Sequence, residues 1–198
     1  LLEGMRPGVL ERLGLAPEEC WRYNPALVIG RITGWGQTGP LAQRAGHDIN
    51  YIALNGVLHS IGRDKPVPPL NLVADFGGGG AFLLIGVLGA VLSARQTGQG
   101  RVVDAAMVEG SASMMTLIYE RLMQDRWRDE RGVNALDGGV PWYDVYATRD
   151  ARYMAVGCNE PQFYRIFVEG LGLDAAELPD RDERRHWPVL RELFAARF

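Results

Sequence analysis

Three observations predict an α/β fold. The β-rich apolar run at residues 26–32 and the short Val102-Val103 pair alternate with helix-type runs at 47–58 and 82–94. Strands that alternate with helices build a sheet covered by helices. Past a charged stretch, two short β-type segments, 145–147 and 153–156, flank Thr148-Arg149-Asp150-Ala151-Arg152 and read as a hairpin.

Taken in chain order, Pro17-Glu18-Glu19 opens a helix with proline and acids in its first turn. Asn24-Pro25 stops it, because the residue before proline is pushed out of the helical region. Residues 26–32 follow as a buried strand. Thr33-Gly34-Trp35-Gly36-Gln37-Thr38-Gly39-Pro40 is a glycine-rich turn. Ile49, Ile52, Ala53 and Val57 then recur at close to helical spacing, which predicts one helix over 47–58. Pro66, Pro68 and Pro69 impose an extended loop. The run 82–94 is apolar all round and predicts a buried helix, ended by Thr97-Gly98-Gln99-Gly100. Val102 and Val103 start a short strand, and 105–123 reads as a single long helix. Residues 124–131 are charged and fit a solvated helix end or a linker. Asp137-Gly138-Gly139 is a turn, and 161–171 is a helix with proline in its first turn.

Composition narrows the function classes. Hydrophobic content of 47% and charged content of 23% in 198 residues suit a globular chain able to bury one core or two small ones. A net charge of −3 gives no polybasic signature for nucleic acid or anionic membranes. The apolar run 82–92 has eleven residues, short of the ~20 a membrane span needs. Two cysteines, Cys20 and Cys158, cannot make a disulfide framework, so a reducing, cytoplasmic setting is expected. Lys65 is the sole lysine, which fits the codon bias of a GC-rich bacterial genome.

Chemistry concentrates at two places. Ala45-Gly46-His47-Asp48-Ile49-Asn50-Tyr51 puts an ionisable pair at a helix opening. Asn71-Leu72-Val73-Ala74-Asp75-Phe76-Gly77-Gly78-Gly79 puts an acid before a run of glycines. Helix starts carry free backbone N–H groups and partial positive charge, so two of them make an acid/base site. By spacing alone, Asp75 and Glu160 each read as a helix N-cap, and Asp48 as an N-cap or first-turn acid. The Asp48 backbone N–H could donate to a developing oxyanion. Ala74-Asp75-Phe76-Gly77 imitates a kinase magnesium motif, but no kinase lysine motif or catalytic loop accompanies it. Gly77 to Gly80 lacks the Lys-Ser/Thr of a phosphate loop. His47, His59, His186 and the cysteines show no zinc spacing, and no metal is expected.

These motifs resemble the alpha-methylacyl-CoA racemases, a branch of the class III CoA-transferase superfamily. The likeness begins at Glu3-Gly4-Met5-Arg6-Pro7-Gly8-Val9 with Glu11-Arg12-Leu13-Gly14-Leu15. It includes both stretches above and Arg101-Val102-Val103-Asp104-Ala105-Ala106-Met107. It continues through Leu136-Asp137-Gly138-Gly139-Val140-Pro141 and Tyr153-Met154-Ala155-Val156-Gly157-Cys158-Asn159-Glu160-Pro161-Gln162-Phe163.

The resemblance implies part of a Rossmann-like large, CoA-binding domain at 1–107. A linker helix and loop at 108–145 and the start of a smaller α+β domain at 146–198 would follow. It implies a partial chain, interlocked homodimers, and no cofactor beyond the coenzyme A of the substrate. It makes His47 and Asp75 the two bases of an α-proton transfer, with Glu160 of the other subunit supporting His47. It gives Arg12, and less well Arg6, to the phosphates of coenzyme A, where guanidinium geometry fits. Asp48 joins the substrate contacts through its N–H. The expected activity is racemisation of 2-methylacyl-CoA thioesters. The alternatives are a CoA-transferase with Asp75 as nucleophile, or a non-catalytic fragment or paralogue.

Overall fold

The computed structural model describes residues 1–198, and the chain divides into two compact units. The first holds Leu1–His59 and Pro66–Gln124; the second holds Ser60–Lys65 and Asp125–Phe198.

The first unit is α/β. Strands β1 (Leu2–Glu3) and β2 (Ile29–Thr33) pair in parallel, with Leu2 opposite Gly30. Helices α1 (Val9–Arg12) and α2 (Pro17–Tyr23) lie between them in sequence. Next come α3 (Asp48–Leu54), α4 (Val57–Ser60) and the long α5 (Leu72–Thr97). Strand β3 (Val102–Ala106) then returns beside β2, also parallel, with Ile29 opposite Val102 and Thr33 opposite Ala106. The sheet order is β1-β2-β3. Helices α6 (Met107–Met114) and α7 (Thr116–Met123) follow directly.

Four expectations are corrected here. The helix expected over 47–58 is two helices, because Gly56 takes a φ of +82° and breaks the run. The preceding Asn55 is tied down: its Nδ2 donates to Val108 O and Ser111 Oγ, and its carbonyl accepts from the Tyr119 hydroxyl at 2.6 Å. The helix expected over 105–123 starts only at Met107, since Ala105 and Ala106 are still strand, and it is interrupted at Met115.

The third correction concerns α5. It begins ten residues before the apolar run, as a π-helix over Leu72–Ala81, and continues as α-helix over Phe82–Thr97. The glycines belong inside the helix because α6 crosses it at backbone contact. A Cβ on Gly78 would sit 2.4 Å from Ser111 N, and one on Gly110 would sit 1.9 Å from Gly78 O. At 26 residues, α5 is long and apolar enough to cross a membrane by length and composition, unlike its apolar core alone.

The fourth is burial. Only Leu83, Ala90 and Ala94 of the Phe82–Thr97 helix are buried, while Leu84, Ile85, Leu88 and Leu92 are exposed. The buried side lies on the sheet, where Leu83 and Val87 come close to Gly30.

The second unit has its own core of Val140, Trp142, Tyr146, Cys158, Val168, Leu190 and Phe194. Strands β4 (Tyr143–Ala147) and β5 (Tyr153–Gly157) form the expected antiparallel hairpin. Helices α8 (Pro161–Gly170) and α9 (Trp187–Ala195) close over it. Asp137 organises the loop before the hairpin by accepting from the backbone N–H groups of Gly132, Asn134 and Gly139. Arg63 and Arg191 both pair with Asp144 at the start of β4.

Candidate active site

The ends of three elements meet in the first unit. β2 ends at Thr33, α3 starts after His47, and α5 starts after Asn71. In a parallel sheet, ligands favour the crevice beyond the carboxyl ends of the strands. A cleft of about 520 Å³ lies there, lined by His47, Tyr51, Asn71, Asp75, Phe76 and Met107, among others.

His47 is the N-cap of α3, with extended backbone, and its side chain is exposed. Asn50 Oδ1 reaches back to accept from the His47 backbone N–H at 2.9 Å, which fixes where the helix begins. Asp75 is half-buried in the first turn of α5. An imidazole and a carboxylate on two helix starts thus face one cleft. Both are ordinary acid/base groups for proton transfer.

Asp48 does something the spacing did not reveal. It is 3% exposed, and its carboxylate does not serve its own helix. Oδ2 accepts from Ala74 N at 2.7 Å and from Asp75 N at 2.9 Å, so Asp48 caps the start of α5 from the first turn of α3. A carboxylate on two free N–H groups at a helix start is a charge-assisted pairing that also matches the helix dipole.

The remaining expected residues lie elsewhere. Arg6 is exposed and lines a neighbouring cavity of about 200 Å³, together with Arg44, Thr33, Trp35, Gly46 and Tyr51. Arg12 is exposed in the last turn of α1. Its segment is anchored by Arg31, 7% exposed on β2, which bonds Glu11 Oε1 at 2.6 Å and pairs with Glu3 at 3.3 Å. Glu160 stands in the second unit as the N-cap of α8, exposed, with Pro161 at the first helical position.

Sequence reasoning missed Tyr51, Asn71, Phe76 and Met107 in the cleft and Arg44 beside it. Tyr51 was legible in principle. It lies four residues after His47, the interval that places side chains on one helix face.

The model of CoA-transferase family III matches residues 1–198. The chain belongs to CoA-transferase family III. Within it, the chain is 46% identical over 197 residues to the alpha-methylacyl-CoA racemase of Mus musculus, covering 98% of this chain and 52% of that protein. Against the alpha-methylacyl-CoA racemase of Homo sapiens it is 47% identical over 197 residues, with the same coverage. The chain spans about half the length of these curated relatives. Among solved structures, a CAIB/BAIF family protein from Brucella suis superposes with a TM-score of 0.78 over 99% of this chain and 53% of that one, at 22% identity. That likeness speaks for the fold. The α/β class expected from the sequence is that of the family, and the structure gives its sheet as parallel.

Proposed function

We propose that this chain carries the acid/base half of a racemase acting on 2-methylacyl-CoA thioesters. The observation that carries the reading is the shared cleft: His47 and Asp75, on two different helix starts, line one cavity. The 46–47% identity to two alpha-methylacyl-CoA racemases supports the same choice.

The thioester makes the α-hydrogen acidic. Neutral His47 removes that proton, the C–H pair moves into the Cα–C bond, and the carbonyl oxygen becomes an enolate. Protonated Asp75 then delivers its proton to the opposite face. His47 ends as imidazolium and Asp75 as carboxylate. In the reverse sense the two exchange roles. Imidazole suits one role because its unperturbed pKa, ~6.5, lets it take and give protons near neutrality. Negative charge on the enolate oxygen would meet free N–H groups at helix starts, including that of Asp48. Coenzyme A enters as part of the substrate, with Arg6 and Arg12 as phosphate partners. Glu160 would support His47 from the small unit of a second subunit in an interlocked homodimer.

The test is α-proton exchange by the full-length protein in deuterated solvent. A racemase washes deuterium into either enantiomer of a 2-methylacyl-CoA with no acceptor acid present. Activity that appears only with an acceptor acid would instead assign a CoA-transferase with Asp75 as nucleophile. For Glu160, dimers mixing His47→Ala with Glu160→Ala subunits should regain one intact site. Confirmed heterodimers that stay inactive would remove Glu160 from the shared site.

A further inference from the structure

Tyr51 is the feature of the cleft that the acid/base pair leaves unused. It is 5% exposed and lines both the 520 Å³ cleft and the 200 Å³ arginine cavity. Its position is fixed on three sides. The ring packs edge-on against Trp35, with centroids 4.7 Å apart. A Cβ on Gly34 would lie 2.2 Å from the Tyr51 hydroxyl, and a Cβ on Gly46 would lie 2.7 Å from the ring. Both flanking positions must therefore lack a side chain for the phenol to occupy this place. A buried tyrosine ordinarily finds a hydrogen-bond partner. This one has none in the chain, and its oxygen is not among the sealed, unpartnered polar atoms. Tyr51 shares the lining of one cleft with His47 and Asp75, and the charges of Asp75 and Asp48 reach its phenol.

We infer that the Tyr51 hydroxyl donates a hydrogen bond to the thioester oxygen and strengthens that bond as the oxygen becomes an enolate. The inference rests on the proton-transfer reading and adds a third group to it. The phenol keeps its proton throughout, because burial raises its pKa and the nearby charges of Asp75 and Asp48 raise it further. It therefore acts as a donor and not as a base. The hydroxyl moves no proton to the carbon; the bonds made and broken remain those of the His47 and Asp75 steps. A preorganised donor aimed where charge develops speeds the reaction without tightening substrate binding to the same degree.

The experiment uses the full-length protein. Tyr51→Phe keeps the ring between Gly34 and Gly46 and removes only the oxygen. Deuterium wash-in from both enantiomers of a 2-methylacyl-CoA should slow by ~10²-fold in kcat, the usual cost of losing one such donor. KM should stay within about threefold, as should the Kd of a 2,2-dimethylacyl-CoA, which has no α-hydrogen to lose. A second variant guards against a packing artefact. With 4-aminophenylalanine at position 51, which restores a donor on the same ring, exchange should recover to at least tenfold above Tyr51→Phe. If wild type exchanges and Tyr51→Phe exchanges within twofold of it, the inference is wrong while the proton-transfer reading stands. It is equally wrong if the amino variant is no faster than Tyr51→Phe. If wild type exchanges no 2-methylacyl-CoA at all, the underlying reading and the inference fall together.

Discussion

The backbone N–H of Asp75 donates to Asp48 Oδ2 at 2.9 Å, so the acid that lines the cleft and the buried acid of α3 are joined through the start of α5. The other Asp48 oxygen, Oδ1, is buried without a partner. The carboxylate of Asp48 thus holds the helix turn from which the Asp75 side chain projects.

Removing that carboxylate should cost stability and misplace Asp75. Asp48→Ala leaves two free N–H groups in a closed site, which should lower stability by about 1–3 kcal/mol. Asp48→Asn keeps one accepting oxygen and should lose less. Chemical denaturation of the full-length variants reads the difference. Equal stability of Asp48→Ala and wild type would show that the contact carries no weight.

The helix crossing gives a paired expectation. Gly110→Ala would drive a Cβ to within 1.9 Å of Gly78 O, and nothing there is flexible enough to yield. It should destabilise by about 1–3 kcal/mol or more, as overpacked sites do. Gly89, in the helical part of α5, would meet nothing within 4 Å. Gly89→Ala should therefore gain about 0.5–1 kcal/mol from helix propensity. Denaturation midpoints of opposite sign are the expected result.

The Arg31 network sets an acid-side dependence. The hydrogen bond from Arg31 holds the Glu11 carboxyl below its ordinary value. A lowered folded pKa means that the contribution is complete above the unfolded value, ~4.3, and fades as pH falls through the folded one. The stability gap between wild type and Glu11→Gln should be constant above roughly pH 5 and close below roughly pH 4. A gap that widens on acidification would contradict the pairing.

Burial should also separate the two thiols. Cys158 is buried, its Sγ lies 3.4 Å from Trp142 O, and burial pushes its pKa up to about 11. Cys20 is half-buried on α2. Since the thiolate is the reactive form, native-state alkylation at pH 8 should label Cys20 and spare Cys158. Mass spectrometry of the alkylated full-length protein checks this at both positions.

The sequence was most legible where a local signal decides the outcome. Pro17 and Pro161 sit at first helical positions because their missing N–H costs nothing there. The hairpin and the parallel strand at Ile29–Thr33 follow from apolar runs bounded by turn residues. The misreadings arise where a partner far along the chain decides. The glycines at 77–79 look like a loop until α6 is laid against them, and only then is the absence of side chains a packing requirement. The break at Asn55-Gly56 is fixed by Val108, Ser111 and Tyr119, more than fifty residues away. At the site, His47 and Asp75 stood out as charges at helix starts. Tyr51 reads as an ordinary apolar-face aromatic until the glycines around it are placed. Asp48 looked like a cap for its own helix, and no spacing rule says that it caps another.

The cleft and the packing around it therefore hold two kinds of position under unequal freedom to change. Gly34, Gly46, Gly78 and Gly110 hold their size because a single added carbon collides with a ring or a backbone. Ile32, Phe76 and Met107 line the cleft itself with side chains that can shrink. A library that varies these three should reshape the cavity while the chain still folds. The same diversity spent on the four glycines should return mostly collapsed protein. Divergence in what this cleft accepts has a narrow route, and it runs through three apolar residues, none of which carries a charge.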